Sequence, residues 1–228
     1  ASAEDLAAVA VKNSRHGALN PRAQRQRALS LEEVLASRMI AEPLTLYQCA
    51  GLSDAAAAAV LGPTSRTSRD VAVRATALRS GRAWDQASEH VWGYEVVRDT
   101  ARDAYDAAVI EPSDVDVFEV HDAFTIGELV TVEALGLVAE GTAPAALAAG
   151  QFSIDGTHPV NPSGGLLARG HPLGATGVAQ VAELVWQLRG EADQRQVSDA
   201  RIGLLETMGG GTAGIDGNAC VVAVLEAG

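Results

Sequence analysis

Residues 161–177 read NPSGGLLARGHPLGATG and place His171 between a glycine and a proline, directly ahead of a helical pattern. Glycines let the backbone adopt positive φ values or approach a ligand closely, and a proline stiffens the turn. A turn this rich in glycine is not suited to packing, so we expect His171 to be presented rather than buried. Its intrinsic pKa near neutrality suits proton transfer or oxyanion stabilisation. The glycines concerned are Gly165, Gly170, Gly174 and Gly177.

The composition predicts a folded domain of ordinary character. The chain has 228 residues, of which 47% are hydrophobic and 20% charged, enough for one large domain or two small ones. A formal net charge of -12 argues against nucleic acid as a partner. No apolar run approaches the roughly 20 residues of a membrane helix, and the N-terminus does not resemble a signal peptide. We therefore expect no membrane association and a cytoplasmic location.

Two cysteines, Cys49 and Cys220, are present. Two cysteines cannot form a disulfide framework, which fits a reducing compartment. Neither belongs to a CxxC motif, and the chain has no HExxH motif or histidine pair at helical spacing, so we expect no metal site. Both cysteines are interpreted as small buried hydrophobic residues.

Alternating strand and helix patterns predict a layered α/β domain. Strands are expected at 71–78, 116–120, 201–205 and 218–225, and helices at 3–13, 94–109, 126–135 and 178–188. Ser30 and Glu33 form a plausible capping box for one more helix. The run 55–61 is either a helix, by propensity, or a buried strand.

A run of positive charge near the N-terminus interrupts an acidic chain. It is either a solvated helix end and loop or a binding site for an anionic group such as a nucleotide phosphate. Its members are Lys12, Arg15, His16, Arg22, Arg25 and Arg27.

Three loops are candidates for one shared pocket, since ligands gather beyond the carboxyl ends of strands in α/β sheets. They are HDAF at 121–124, GHP at 170–172 and TMGGG at 207–211. His121 could equally cap the next helix or satisfy a core hydrogen bond, and Asp122 is better interpreted as an N-cap than as a catalytic acid. The triple glycine is either a flexible turn or a set of backbone amides that bind an oxyanion.

Together these residues resemble the C-terminal part of thiolases, in the sterol carrier protein x-like branch that includes lipid-transfer-protein and archaeal thiolases, related to acetyl-CoA acetyltransferases. The resemblance spans nearly the whole chain. It is carried by LAAVAVKNSRHGALNPRAQ at 6–24, SLEEVLASRMI at 30–40, SDAAAAAVL at 53–61, DVDVFEVHDAFTIGEL at 114–129, EALGLVAEG at 133–141 and NPSGGLLARGHPLGATGVAQVAELVWQLRGE at 161–191.

The resemblance implies a layered αβαβα fold of two similar halves with a loop domain that covers coenzyme A. Residues 1–40 then correspond to the tail of the loop domain, 41–62 to the end of the first half, and 63–228 to the complete second half. The basic run falls where the family meets the coenzyme A phosphates, which makes Arg25 and Arg27 candidate substrate-binding residues.

The same resemblance implies roles for residues of the three loops. His171 matches the histidine that activates the nucleophilic cysteine and donates to the thioester oxygen, and His121 matches the residue that shapes the same oxyanion hole. Gly209 matches a glycine whose amide belongs to a second oxyanion hole, and Phe124 an aromatic residue of the pantetheine channel. Where biosynthetic thiolases keep a serine near the coenzyme, this chain has Ala50 and Gly51.

Two departures from the family pattern bear on activity. The family's nucleophilic cysteine lies upstream of the first residue here, so the chain alone is expected to be inactive. The acid/base cysteine of a CxG motif is replaced at 207–209 by Thr207, Met208 and Gly209, and the cysteine of the HDCF motif by Ala123. A hydroxyl is too weak an acid to replace a thiol, so proton transfer would fall on His121 or His171.

The sequence therefore predicts part of an acyl-CoA acyltransferase with acyl-CoA as substrate and no permanently bound cofactor. A homodimer is the family expectation, and a companion chain that carries the cysteine, or a DUF35-type partner, would complete the site. The alternatives are a non-catalytic acyl-CoA-binding or scaffold subunit and, ranked lower, a retro-aldol lyase of steroid side chains. Such lyases tend to place tyrosines where this chain has His121 and His171.

Overall fold

The computed structural model describes residues 1–63, 67, 69–83, 93–209, 215 and 217–228. Six strands occur within them: β1 Met39–Ala41, β2 Leu44–Thr45, β3 Val71–Arg79, β4 Val117–Glu119, β5 Ile202–Gly209 and β6 Ala219–Ala227. The α-helices are α1 Ala3–Ala18, α2 Leu31–Leu35, α3 Tyr94–Ala108, α4 Thr125–Ala134, α5 Ala143–Ala148, α6 Gly165–Arg169 and α7 Thr176–Leu188. Each helix in these ranges is too short or too polar to cross a membrane.

Four of the strands form one mixed sheet in the order β3-β6-β5-β4. β3 and β5 both run antiparallel to β6, whereas β4 runs parallel to β5. Because β4 and β5 are parallel, the chain leaves both of them at the same edge of the sheet. The loops that begin at His121 and near Gly209 therefore start side by side.

Helices cover both faces of this sheet. On one face α3, α4 and α5 enclose a large apolar core that includes Phe118, Phe152 and Leu204. On the other face α7 packs Leu184 and Leu188 against β4, β5 and β6. The alternating pattern of the sequence thus folds into the predicted helix-sheet-helix layers.

The N-terminal helix α1 packs on helices of this sandwich and adds Leu6 and Val9 to its apolar core. α1 contacts α2, α4 and α6. α1 begins at a capping box formed by Ser2 and Asp5. The predicted capping box of Ser30 and Glu33 is confirmed, since each side chain accepts the other residue's backbone N–H.

The regular elements predicted from hydrophobic periodicity are confirmed, with differences at their ends and between them. β5 continues through Thr207 and Met208 to Gly209, so these residues belong to a strand rather than to a loop. Gly210 and Gly211, the rest of the predicted glycine loop, lie outside the described residues. α5 occupies an alanine-rich stretch for which no element was predicted, and α6 lies inside the glycine-rich turn.

The prediction of a helix or buried strand at 55–61 is wrong. These residues are in neither kind of element, and Val60 and Leu61 are 98% and 81% exposed. Alanine propensity alone does not make a helix of seven residues stable without a packed face. The described structure supplies no neighbouring strand for the segment either.

Candidate active site

Two imidazole rings meet at the edge of the sheet where β4 and β5 end. The ring centroids of His121 and His171 are 5.0 Å apart, and the ring planes are nearly perpendicular, at 88°. His121 follows β4, whereas His171 lies between α6 and α7. The fold therefore brings together two of the three loops considered from the sequence, and His171 is half-buried rather than fully presented.

A threonine hydroxyl holds each ring at its Nδ1 atom. Thr207 of β5 places its Oγ1 3.2 Å from Nδ1 of His121. Thr176, the first residue of α7, places its Oγ1 2.9 Å from Nδ1 of His171. Since both Nδ1 atoms are engaged, the Nε2 atoms are the ones left for a ligand.

The segment 49–52 runs between the two histidine loops and pairs with both. The Ala50 N–H donates to the Ala123 carbonyl at 2.8 Å, and the His171 N–H donates to the Gly51 carbonyl at 3.2 Å. Phe124 is paired with the same segment and has a 49% exposed side chain. Ala50, Gly51 and Phe124 thus adjoin both histidines.

Gly209 is the last residue of β5, two positions beyond Thr207. Residues two apart on a strand are roughly 7 Å from each other, so Gly209 lies near the imidazole pair. A Cβ added here would lie 3.3 Å from the Cβ and carbonyl oxygen of Ala219 on β6. Packing against β6 therefore gives this glycine a structural reason besides any contact with an oxyanion.

Two glycines of the motif meet the steric requirement predicted from the sequence. Gly170 has φ 106°, and a Cβ added there would lie 2.7 Å from Oγ of Ser53. Gly165 has φ 60°, and its added Cβ would overlap the Asp122 carboxylate. Gly174 and Gly177 are not among the glycines with positive φ, and an added Cβ would meet no atom closer than 3.5 Å, so only a close approach to a ligand stays as a prediction for these two.

Asp122 is an N-terminal cap, but for α6 and not for the helix that follows it in sequence. Its carboxylate accepts from the backbone N–H of Leu166 at 2.7 Å and of Leu167 at 3.4 Å. The N-cap residue of α4 is Phe124, whose side chain makes no capping hydrogen bond. Asp122 therefore ties the loop of His121 to the helix that leads into His171.

A buried polar network holds α1 against these loops. Lys12 lies 2.9 Å from Glu128 and donates to the Val160 carbonyl at 2.8 Å. The Asn13 amide donates to both Asp122 and Glu128 at 2.7 Å. Burial, followed by the Glu128 carboxylate, raises the pKa of Asp122 well above its ordinary value.

Burial lowers the pKa of both imidazoles, which favours their neutral forms. Burial, then the neighbouring His171 and Arg169, lowers the pKa of His121 to about 4. Burial and Arg169 also lower the pKa of His171. Arg169 is mostly buried, 3.8 Å from Glu119, and was not anticipated from the sequence, although it directly precedes the GHP turn. A neutral imidazole can act as a base at one nitrogen and as a donor at the other.

The basic run does not form one surface. Lys12 is paired and buried, and His16 is buried with its Nδ1 3.0 Å from the Asn161 carbonyl. Burial, then Lys12, lowers the pKa of His16 to about 3, so it carries no charge at neutral pH. The solvated-end interpretation is therefore wrong for these two residues.

The arginines of the run have separate environments. Arg22 lies over the Trp186 ring at 4.4 Å, and Arg25 over the Tyr47 ring at 4.6 Å. Arg27 is exposed and pairs with Glu33 at 2.7 Å.

Two cavities adjoin the segment 52–58. One, of about 710 Å³, lies against α7 and is lined by Arg22, Arg169 and Trp186 among others. The other, of about 700 Å³, is lined by residues 171–175, and so by His171. Arg25 and Arg27 line neither of these two cavities.

Neither cysteine is disposed to act as the nucleophile. Cys49 is partly buried, its Sγ lies 3.5 Å from the Thr45 carbonyl, and burial raises its pKa. Cys220 is fully buried in β6 and has its pKa raised by burial and by Glu206. A thiol with a raised pKa is a poor source of thiolate.

Comparison with known proteins identifies relatives of this chain. Acetyl-CoA acetyltransferase of Methanothermobacter thermautotrophicus is 45% identical over 218 residues, which is 93% of this chain and 57% of that protein. Sterol carrier protein 2 of Oryctolagus cuniculus is 41% identical over 221 residues, 93% of this chain and 40% of that protein. The chain thus spans about half the length of these relatives.

A solved structure and a family model place the fold. The Ltp2-ChsH2(DUF35) aldolase superposes with a TM-score of 0.80 at 27% identity, over 100% of this chain and 59% of that chain. The family model described as thiolase C-terminal domain-like matches residues 77–222. The chain therefore belongs to the thiolase family and has the mixed α/β fold of its C-terminal domain.

Proposed function

We propose that this chain is the histidine-bearing part of a thiolase-type acyl-CoA acyltransferase, which thiolyses 3-ketoacyl-CoA or condenses acetyl-CoA. The observation that carries the proposal is the pair of imidazoles, 5.0 Å apart and each anchored through Nδ1. The 45% identity to an acetyl-CoA acetyltransferase supports the same reaction class. A scaffold has no chemical need for two imidazoles in contact beside a cavity.

In the thiolysis direction, Nε2 of His171 takes the proton of a cysteine thiol, and the thiolate adds to the 3-keto carbon. The bond between C2 and C3 then breaks, the acyl group stays on sulfur, and the proton held by His171 passes to C2, so that acetyl-CoA leaves. His171 next takes the thiol proton of coenzyme A, whose thiolate adds to the acyl carbon and expels the cysteine thiolate, to which the proton returns. His121 would donate to the thioester oxygen as it becomes negative, and the amide of Gly209 would donate in a second oxyanion hole, since fixed donors are worth most at developing charge. Phe124 and the Ala50–Gly51 backbone would border the pantetheine.

The sulfur must come from outside the described site, because both cysteines are engaged elsewhere. We assign residues 1–40 to the tail of a loop domain, 41–62 to the end of the nucleophile-bearing half and 63–228 to the second half. Val60 and Leu61 are almost fully exposed, which supports a covering partner. That partner is the remaining half, on this polypeptide or a companion chain, within a cytoplasmic homodimer.

A retro-aldol lyase is the second candidate, because the solved structure with a TM-score of 0.80 is an aldolase with a DUF35 component. It ranks lower because His121 and His171 occupy the positions where such lyases tend to place tyrosine. A DUF35-type partner would accompany that function. A non-catalytic acyl-CoA-binding or scaffold subunit is the third candidate.

Complementation tests the proposed reaction directly. The chain is co-expressed with the cysteine-bearing half of the acetyl-CoA acetyltransferase from Methanothermobacter thermautotrophicus, and acetoacetyl-CoA consumption is followed with and without added coenzyme A. We expect thiolysis that depends on coenzyme A and on the cysteine. Cleavage of a steroid 3-hydroxyacyl-CoA without any need for the cysteine would support the lyase instead. Acyl-CoA binding without turnover in a complex that forms would support the non-catalytic subunit.

Arg27 provides a test of phosphate binding by the basic run. If it meets a coenzyme A phosphate, Arg27→Glu should raise the apparent Kd for acyl-CoA several-fold, and more at low than at high salt, because exposed charges are screened. Arg27 is the better site than Arg25, whose side chain also donates to the Leu167 carbonyl at 3.2 Å. Isothermal titration with acetyl-CoA in the complemented protein measures the constant.

Arg69→Glu is the matched control. Arg69 is exposed and pairs with Glu191 at 2.7 Å, as Arg27 pairs with Glu33. Equal effects of the two reversals would indicate a general charge effect. If neither Arg27→Glu nor Arg25→Glu changes the Kd, the basic run has no role in binding acyl-CoA.

A further inference from the structure

The two threonines that hold the imidazoles make different hydrogen bonds, and the difference bears on which ring nitrogen carries the proton. In a neutral imidazole one nitrogen donates and the other accepts. A partner that accepts at Nδ1 leaves the lone pair on Nε2, and a partner that donates to Nδ1 leaves the proton on Nε2. The hydroxyls of Thr176 and Thr207 therefore indicate which nitrogen of each ring carries the proton.

The Thr176 hydroxyl has its proton committed elsewhere. It donates to the Pro172 carbonyl at 3.3 Å, four residues back and before α7 begins. A hydroxyl has a single proton, so while it donates there it accepts from Nδ1 of His171, at 2.9 Å. This arrangement favours a proton on Nδ1 of His171 and a free lone pair on its Nε2.

The Thr207 hydroxyl has no such second acceptor within the described part of the chain. Its hydrogen bond there is to Nδ1 of His121, at 3.2 Å. If Nδ1 carried the proton, the half-buried Thr207 hydroxyl would accept it, and the hydroxyl's own proton would have no protein acceptor among the described residues. Donation from Thr207 to Nδ1 satisfies both groups and leaves the proton of His121 on Nε2.

We propose that Thr176 and Thr207 are positioning residues that fix opposite tautomers on the two histidines, an accepting Nε2 on His171 and a donating Nε2–H on His121. The catalytic roles of the two rings rest on the proposed function, whereas the assignment of their tautomers does not. One ring then supplies the base that removes a thiol proton, and the other supplies a neutral donor for the oxyanion.

Such a division of roles needs both rings neutral, since an imidazolium donates from both nitrogens. The two rings are in contact at 5.0 Å, so a proton on one opposes a proton on the other. Arg169 adds a further positive charge near both. Thr207 stands where other thiolases carry the cysteine of a CxG motif. Its hydroxyl orients His121 without moving a proton itself, which explains why a threonine is useful there.

Nitrogen-15 NMR on histidine-labelled protein tests the assignment at pH 7.5, since a protonated ring nitrogen resonates far from an unprotonated one. The chain has five histidines, and single His→Gln variants assign their signals. We expect the protonated nitrogen to be Nδ1 in His171 and Nε2 in His121. The same tautomer in both rings, or the reverse assignment, would overturn the proposal whatever the variants show.

Substitution of the threonines isolates their part. Free imidazole favours the proton on Nε2, so Thr176→Val should switch His171 to that form, and Thr176→Ser should keep the Nδ1 proton. Thr207→Val should leave His121 protonated on Nε2 but move its Nδ1 signal to that of an unbonded nitrogen, with Thr207→Ser restoring it. Thr142→Val is the control, because that exposed hydroxyl only donates to the Ala139 carbonyl. An unaltered His171 signal in Thr176→Val contradicts the role of Thr176.

Kinetics of the complemented enzyme separate this inference from the proposed function. We expect Thr176→Val to lower kcat at least roughly tenfold with little change in KM, and Thr176→Ser to recover most of it. Opposite tautomers without any thiolysis would refute the proposed function alone. Thiolysis with equal tautomers would refute this inference alone.

Discussion

His171→Ala is expected to reduce acyl transfer in the complemented enzyme by about 10²–10⁴-fold, the usual contribution of a positioned acid or base. The ring offers the Nε2 that no described residue occupies, and it adjoins the cavity of about 700 Å³. The fold should survive, because the His171 N–H bond to the Gly51 carbonyl is a backbone bond and does not need the side chain. The measurement is the initial rate of acetoacetyl-CoA thiolysis, with circular dichroism to verify the fold.

His158→Ala is the matched histidine deletion. His158 is partly buried, and its backbone N–H bonds to the Gln151 carbonyl, away from the imidazole pair. It should leave the rate within about twofold of wild type, since it contacts no residue of the site in the described structure. Near-normal turnover of His171→Ala in a folded protein would exclude the proposed role.

A further comparison tests whether the two rings act as a unit. If His121 stabilises the oxyanion that forms when the His171-activated thiolate adds, the two deletions remove one concerted function. The double variant His121→Ala/His171→Ala should then lose little more than the stronger single variant, because effects of groups that act together are far from additive. Fully multiplicative losses would mean that the rings serve separate steps.

The sequence was sufficient for the elements that have a strong apolar period. α3, α4 and α7, and the strands β3 to β6, occur where alternation or helical spacing predicted them. The prediction for residues 55–61 failed because five alanines are equally compatible with a helix and with a buried strand. Only packing partners decide such a case, and the described structure offers it none.

The charge run shows a different limit of sequence reasoning. Lys12 and His16 are four residues apart, so they lie on the same face of α1, and that face is buried against α4 and α6. The positions of charged residues along the sequence do not show that Lys12 and His16 are buried while Arg15 and Arg27 are exposed. Their burial could have been predicted from their helical spacing with the apolar residue Val9.

The candidate site was predictable in its reactive side chains but not in what orients them. His121 and His171 lie in the recognisable motifs HDAF and GHP. The resemblance to thiolases also identified Gly209 and Phe124. Thr176 lies five residues beyond His171 at the start of a helix, and Thr207 comes from a strand 86 residues from His121. Nothing in a one-dimensional pattern relates these pairs, because the sheet register and the helix entry bring them together.

Lys12→Met is expected to destabilise the protein by about 3–5 kcal/mol, because it leaves a buried carboxylate without its cation. Lys12 and Glu128 are 6% and 0% exposed and 2.9 Å apart. Asp122 lies in the same network through Asn13, so the loss would also increase repulsion between two buried acids. Urea unfolding at pH 7.5, followed by circular dichroism, gives the free energy of unfolding.

Arg69→Met deletes the cation of an exposed pair, which is 69% and 33% exposed, and should cost no more than about 1 kcal/mol. The double variant Lys12→Met/Glu128→Gln should recover much of the loss, since the glutamine oxygen still accepts from an asparagine amide and the carboxylate that lost its cation is gone. If Lys12→Met costs no more than Arg69→Met, the network does not carry the energy assigned to it. Asp122 also caps α6, the helix that leads into His171. If the double variant is as stable as wild type and keeps its thiolysis, the network orients His171 through its hydrogen bonds rather than through its charge.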